Sequence, residues 1–184
     1  MRKLALVSVV VAVSAACSGT PTSPEYVVPL SSTAVKTSDP LSSTHLKGDQ
    51  EVPPRETQAQ GQAIMKVSAD GRSVSYKLIA SNIDNAIQAH IHIGPAGQNG
   101  GIAVFLFGLV PNGGGRHDGV LAEGTFTAAN FIGPLANQPM SALLAAMDAG
   151  NAYVNVHTND GVAPTNTGPG DFPGGEIRGQ IVKK

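Results

Sequence analysis

Cysteine and aromatic residues are scarce in this sequence, and tryptophan is absent. The single cysteine, Cys17, excludes an intrachain disulfide. Aromatic residues make up 4% of the chain and charged residues 14%, whereas a helical bundle would be rich in Leu, Glu and Lys. The 22 Gly and 13 Pro instead favour short strands joined by many turns. These features predict a β-rich domain without covalent cross-links.

An excess of positive charge is also missing. The chain has 12 Lys and Arg against 13 Asp and Glu, so no basic face is expected that would neutralise the phosphates of a nucleic acid. The glycine-rich segment 94–101 leads into a predicted strand rather than a helix, and we therefore expect no nucleotide site. Sequence signatures of serine hydrolases and zinc proteases are missing as well, which favours a non-enzymatic protein.

The N-terminus has the layout of an export signal. Two basic residues precede the apolar run Leu4–Val13, which is too short to span a bilayer and is followed by small residues. We predict a signal peptide over residues 1–16. Cys17 then stands where a bacterial lipoprotein receives its diacylglyceryl group, and it is the predicted lipidation site. Ordinary cleavage at the same bond, which would leave a free secreted thiol, is the alternative.

The segment after Cys17 is predicted to be a tether. Residues 17–45 are rich in Ser, Thr and Pro and cannot bury enough apolar surface to offset the entropy of ordering them. They would connect the lipid to a domain at residues 46–184. This organisation predicts an exported protein anchored in the cell envelope, at the outer membrane if the host has two membranes. Its expected partners are the membrane and an envelope or extracellular protein.

Short alternating runs after the tether predict an all-β fold. Seven runs have period-two alternation: Gln60–Ser68, Ser73–Ala80, Ala86–Ile93, Ile102–Phe107, Val120–Thr127, Asn151–His157 and Glu176–Val182. The pair Asp70 and Gly71 favours a hairpin between the first two runs. The segments Pro111–Gly119 and Asn159–Gly175 contain many Gly, Asn and Pro and are predicted surface loops. We expect an antiparallel Greek-key-like β-sandwich of about seven to eight strands.

One segment has helical rather than strand spacing. Its apolar residues are Met140, Leu143, Leu144 and Met147. Pro139 before them and Gly150 after them are typical start and stop residues, so we predict one short crossover helix that covers the core. Thr127 is placed to cap a further helical turn.

Three histidines are expected on one face of the sheet. Alternation puts His90 and His92 on the same side of one strand, away from its apolar residues. The same rule puts His157, together with Tyr153 and Asn155, on the polar side of a later strand. If the two strands are close, the three imidazoles converge on copper or zinc and leave an open coordination position. The alternative is a polar, hydrogen-bonded row of histidines on the protein surface.

Further residues are expected to support this site or to lie outside it. Glu176 and Arg178 share a strand face, where they would support the histidines or form a surface ion pair. Tyr153 is a predicted support on the face of His157. His45 and His117 fall in the predicted tether and in a loop and receive no role. Because unperturbed imidazole titrates near pH 6.5, we expect metal binding to be weaker at pH 5 than at pH 7.5.

Four ordered motifs resemble the CHRD (chordin) domain family. They are Gly48–Pro54, Ala89–Gly97, Asn151–Thr158 and Gly174–Gln180, and the resemblance extends from about residue 46 to residue 182. The resemblance implies an extracellular all-β module. Combined with the predicted lipidation site, it predicts a binding module carried by a lipoprotein; copper or zinc held by His90, His92 and His157 follows from the strand pattern and not from this resemblance.

A second likeness concerns the style of the site. The His-x-His strand, the later strand histidine and the closing strand are similar to those of copper-zinc superoxide dismutase, a Greek-key β-sandwich. The bridging histidine, the zinc-loop ligands and the disulfide of that enzyme are missing. The likeness leaves a metal-dependent oxidoreductase as one alternative function, with Arg178 attracting an anionic substrate. A metal-free protein-interaction module is the other alternative.

Overall fold

A computed structural model of the chain describes residues 42–111 and 114–182. Its strands are β1 (Ser42–Lys47), β2 (Gln60–Val67), β3 (Ser73–Asp84), β4 (Ala86–Ile93), β5 (Gly101–Gly108), β6 (Arg116–Thr127), β7 (Ala152–Thr158) and β8 (Ile177–Gln180), and its helix is α1 (Met140–Asp148). The predicted signal peptide, Cys17 and most of the predicted tether lie outside the described residues. No helix in the described part of the chain is both long and apolar enough to cross a bilayer.

The eight strands form one antiparallel sheet in the order β5-β4-β7-β8-β1-β2-β3-β6. The sheet curls until its two edges approach each other. The Tyr76 hydroxyl in β3 donates to the Leu106 carbonyl in β5 at 2.7 Å, and Ile132 N after β6 donates to the Ala103 carbonyl at 2.9 Å. The result is a nearly closed, sandwich-like barrel, which confirms the predicted all-β fold class.

The inside of this sheet holds the apolar core. Leu46, Leu78, Ile91, Val154 and Ile177 are each 0% exposed and come from five different strands. In β7 every residue is buried, because the apolar residues face the core and loops cover the other face. A central strand that is covered on both faces can keep polar side chains out of solvent. His157 lies on the covered outer face of this strand.

The first strand begins earlier than the predicted domain boundary. Residues 42–45, predicted as the end of the tether, form part of β1, which pairs with β2 from Ser42 opposite Met65 to Lys47 opposite Gln60. Its inward residues include Ser42 and Thr44, so the segment lacks the apolar alternation by which strands are identified in a sequence. The Thr44 hydroxyl is satisfied by the Gln180 carbonyl at 2.7 Å.

The strand β6 also begins earlier than predicted. Residues 116–119, predicted as part of a loop, pair with the end of β3, with Arg116 opposite Asp84. Arg116 forms an ion pair with Asp84 across this exposed pairing at 3.5 Å, and another with Asp118 of its own strand at 3.0 Å. Polar side chains and backbone hydrogen bonds hold this segment in the sheet. Because it lacks apolar residues, its composition indicated a loop.

Three local predictions are confirmed. Gly71 has a φ of 68° in the turn between β2 and β3, a conformation that glycine adopts without strain. The helix α1 lies between β6 and β7 and buries Met140, Leu143 and Met147. The Thr127 hydroxyl accepts a hydrogen bond from Ala129 N and caps a single helical turn over Ala128–Asn130.

Candidate metal centre

The pairing of β4 with β7 brings the three predicted histidines together. His92 lies opposite Tyr153, His90 opposite Asn155, and His157 follows two residues later on the same face. The Nδ1 atom of His90 is 3.1 Å from the Nε2 atom of His157, and one nitrogen from each histidine lies within 4.8 Å of the others. The predicted convergence of the three imidazoles is therefore confirmed.

The cluster of His90, His92 and His157 is buried. His90 is 0% exposed, and His92 and His157 are each 6% exposed. The side chains point away from the apolar core, but the loop 94–100 and the segment before β8 cover them. The interpretation of these residues as a polar row on the protein surface is therefore wrong.

Backbone carbonyls set the protonation of two of the rings. The Nδ1 atom of His92 lies 2.9 Å from the Gly100 carbonyl oxygen, and that of His157 lies 2.8 Å from the Pro173 carbonyl oxygen. A carbonyl oxygen can only accept, so each Nδ1 carries the hydrogen and each Nε2 presents a lone pair. Metal-binding histidines commonly have their second nitrogen held in this way.

Two nitrogen atoms of the cluster have no hydrogen-bond partner in the described part of the chain. Nε2 of His92 and Nε2 of His90 are buried without a hydrogen-bond partner among the described residues. Buried polar atoms are nearly always satisfied by protein, by an ordered water or by an ion, so these two nitrogens are available to a metal ion or to water. Zinc binds imidazole at about 2.0–2.1 Å, which puts neighbouring ligands of a tetrahedral site roughly 3.3 Å apart. The 3.1 Å separation of His90 Nδ1 from His157 Nε2 is close to that spacing, and it involves the nitrogen of His90 other than the unpartnered Nε2.

Burial keeps the imidazoles neutral. It lowers the pKa of His90 to about 3, and the charges of His157 and His92 act in the same direction. It lowers the pKa of His157 to about 4, although the Pro173 carbonyl opposes this shift. The pKa of His92 is also lowered by burial. The neutral form is the one that binds a metal. The expectation of proton competition near pH 6.5 is thus revised, because competition begins at lower pH.

Asn155 is a polar neighbour of the cluster to which the sequence reasoning gave no role. Its Oδ1 lies 3.0 Å from Nε2 of His157, and the residue is 2% exposed. With Nδ1 of His157 protonated, two acceptor atoms face each other here, an arrangement that a cation would stabilise. Strand alternation had placed Asn155 on the same face as His157, and this was the sequence signal from which its position beside the cluster could have been predicted.

Tyr153 and Arg178 form a stack beside the cluster. The Tyr153 ring is nearly parallel to that of His92, at 8° with centroids 4.8 Å apart. The Arg178 guanidinium carbon lies 3.4 Å from the centroid of Tyr153, and the tyrosine hydroxyl accepts from Gly100 N at 3.0 Å. Tyr153 thus restricts both the His92 ring and the loop whose carbonyl fixes its tautomer.

Glu176 and Arg178 do not form the surface ion pair considered from the sequence. They are 0% and 1% exposed. The Glu176 carboxyl instead accepts from the Thr57 hydroxyl at 2.6 Å, the Thr158 hydroxyl at 2.7 Å and Gly170 N at 2.8 Å. Glu176 thus bonds to Thr158, the residue that follows His157 at the end of β7, and not to a histidine of the cluster.

Glu51 is a buried acid that the sequence reasoning missed. It is 3% exposed, and its Oε1 atom has no hydrogen-bond partner in the described part of the chain. Burial raises the pKa of Glu51 to about 7, although the nearby Arg178, Asn155 and Arg55 lower it. The residue belongs to a motif that suggested the family but carried no predicted chemistry.

Comparison with known proteins agrees with the motifs. The model of the CHRD domain family matches residues 42–181, which include all eight strands. The match begins at the first residue of β1 rather than at residue 46. No curated protein and no solved structure matches the chain. The chain belongs to the CHRD domain family.

Proposed function

We propose that this chain is a cell-envelope lipoprotein whose CHRD domain binds copper or zinc through His90, His92 and His157. The carrying observation is the set of three buried, neutral imidazoles, in which Nε2 of His90 and Nε2 of His92 have no hydrogen-bond partner among the described residues. Desolvating three imidazoles costs free energy, and coordination of a cation would offset that cost.

The ligand set favours a borderline metal. Imidazole suits copper and zinc, whereas magnesium and calcium prefer oxygen ligands. Three nitrogen ligands leave at least one coordination position for water or an exogenous group. Asn155 Oδ1, 3.0 Å from Nε2 of His157, is the oxygen atom beside this ligand set.

Elemental analysis after metal loading tests the proposed site. The full-length, untagged chain carrying Cys17→Ser, which removes a competing thiol, is incubated separately with copper and zinc and dialysed. We expect about one retained equivalent of metal. The double variant His90→Ala, His92→Ala should retain almost none, because losing even one ligand weakens a site by roughly tenfold or more.

The chain offers a matched control in His45→Ala, since His45 is exposed on β1 and away from the cluster. This variant should retain as much metal as the parent. His92→Gln, with its fold verified by circular dichroism, separates ligand loss from misfolding of the double variant. Equal, negligible metal in the parent and the double variant would contradict the proposed site and leave a metal-free interaction module.

The envelope location depends on Cys17. We expect intact-mass analysis of the membrane fraction to show a diacylglyceryl modification on Cys17, with loss of residues 1–16. Cys17→Ala should abolish both the lipid mass and membrane retention, while Ser18→Ala should preserve them. Membrane retention without any lipid mass would contradict lipidation. The proposed partners are accordingly the membrane, reached through the lipid, and an envelope protein near the tethered domain.

A further inference from the structure

A cavity lies beside the Tyr153 and Arg178 stack, separate from the histidine cluster. It has a volume of about 400 Å³, and its lining includes Arg178, Gln180, Glu51, Val52, Pro54 and Ala96. The volume falls in the range of small-molecule sites. We call it the Arg178 cavity.

Arg178 is a buried cation without a carboxylate partner within ion-pair distance in the described part of the chain. Its guanidinium donates only to neutral oxygen atoms, those of the Pro95 carbonyl at 3.0 Å, the Gln180 side chain at 3.2 Å and the Asn99 side chain at 3.4 Å. These bonds use three of its five N–H groups. The charge of Glu51 acts on Arg178, but its carboxyl lies beyond ion-pair distance, so the guanidinium keeps N–H groups for an anion in the cavity.

Glu51 is a buried carboxyl in the lining of the cavity. Its buried Oε1 has no hydrogen-bond partner, and burial raises the pKa of this carboxyl to about 7. When protonated, Glu51 donates a hydrogen bond instead of repelling an anion. Asp49 is exposed at the cavity and is therefore screened by solvent.

The remaining wall is apolar. Val52, Pro54 and Ala96 line the cavity, and the side chain of Asn99 donates to the Val52 carbonyl at 2.8 Å, which joins the two loops that form the wall. A ligand with a charged end and a short aliphatic end matches this division.

We infer that the Arg178 cavity binds a small organic monocarboxylate, with its oxygens on Arg178 and its aliphatic part against Val52, Pro54 and Ala96. Tyr153 lies between this cavity and His92, so the ligand would bind without coordinating the metal. The inference stands independently of the proposed metal site.

Ligand-observed NMR with propionate tests the inference. The probe is titrated into the full-length Cys17→Ser chain, stripped of metal with a chelating resin, at constant ionic strength. We expect saturable binding with a Kd on the order of 1 mM, as suits a ligand of this size. Propionamide, which has the same shape without the charge, should bind at least about tenfold more weakly.

Two variants address the site. Arg178→Gln removes the charge, and Ala96→Trp fills the cavity while leaving the buried arginine in place; each should weaken propionate binding by at least about tenfold. Lys66→Gln removes an exposed cation elsewhere and should leave binding unchanged. Absence of saturable binding to the parent, or full binding to a folded Ala96→Trp variant, would overturn the inference.

Discussion

Between pH 7 and pH 4.5, the metal-free Glu51→Gln variant is expected to lose about 3 kcal/mol more of its free energy of unfolding than the metal-free parent does. The pKa of Glu51 rises from 4.5 to about 7 on folding because of burial, so the folded state binds more protons between these values. The stability from this group is fully present below pH 4.5 and is lost as the pH rises through 7. Acidification therefore stabilises the parent through Glu51.

The histidine cluster contributes with the opposite sign. Burial lowers the pKa of His90 to about 3 and of His157 to about 4, so the unfolded chain binds more protons below about pH 6.5. Stability from these groups is lost as the pH falls from about 6.5 through the folded values. In the parent, the stability gained through Glu51 on acidification offsets part of this loss. The Glu51→Gln variant lacks that gain, so its stability falls by the full amount.

Urea unfolding at pH 7.5, 6, 5 and 4.5, on protein stripped of metal, measures the two curves. Glu56→Gln replaces an exposed glutamate in the same loop and should follow the parent curve. Parallel curves for the parent and Glu51→Gln would contradict the assigned role of Glu51.

Replacing Glu176 by alanine is expected to lower the free energy of unfolding by about 3 to 5 kcal/mol. The carboxyl of Glu176 is fully buried and accepts hydrogen bonds from Thr57, Thr158 and Gly170. Its loss leaves three donors without their partner, of which those of Thr158 and Gly170 are buried, and opens a cavity. The Thr158 hydroxyl also accepts from Phe172 N at 2.9 Å, so the damage would extend into the segment before β8.

Chemical unfolding of Glu176→Ala beside Glu123→Ala tests this role. Glu123 forms an exposed ion pair with Lys77 at 3.2 Å, and its removal should change stability by no more than about 0.5 kcal/mol. Glu176→Gln should be intermediate, since it keeps the side-chain shape but turns one acceptor into a donor. If both alanine variants lose equally little stability, Glu176 does not hold these segments together.

Strand alternation was enough to predict the centre of the fold and of the site. The bounds of β4 were predicted correctly, and His90 and His92 face the same side because the side-chain period of a strand is two. Pairing of β4 with β7 could not be read from either segment alone, since register is set by contacts distant in sequence. The two segments contained the candidate ligands, and the topology brought them together.

Burial of the site could not be predicted, because it depends on loops. The outward face of a strand is ordinarily exposed to solvent. Nothing in the sequence around His157 indicates that the Pro173 carbonyl will accept a hydrogen bond from its ring. The same applies to Glu51, which precedes two prolines in a segment without periodicity. Strand β1 was missed for a related reason, because buried Ser42 and Thr44 look like tether residues in sequence.

The carbonyls of Gly100 and Pro173 have a kinetic consequence. Each belongs to a covering segment and holds the ring of a candidate ligand, His92 or His157. An ion cannot reach or leave buried rings until a covering segment moves, and that movement also releases a ring from its hydrogen bond. Exchange of the ion would therefore follow the time course of loop motion, from nanoseconds to microseconds or slower, and not that of ligand substitution in water.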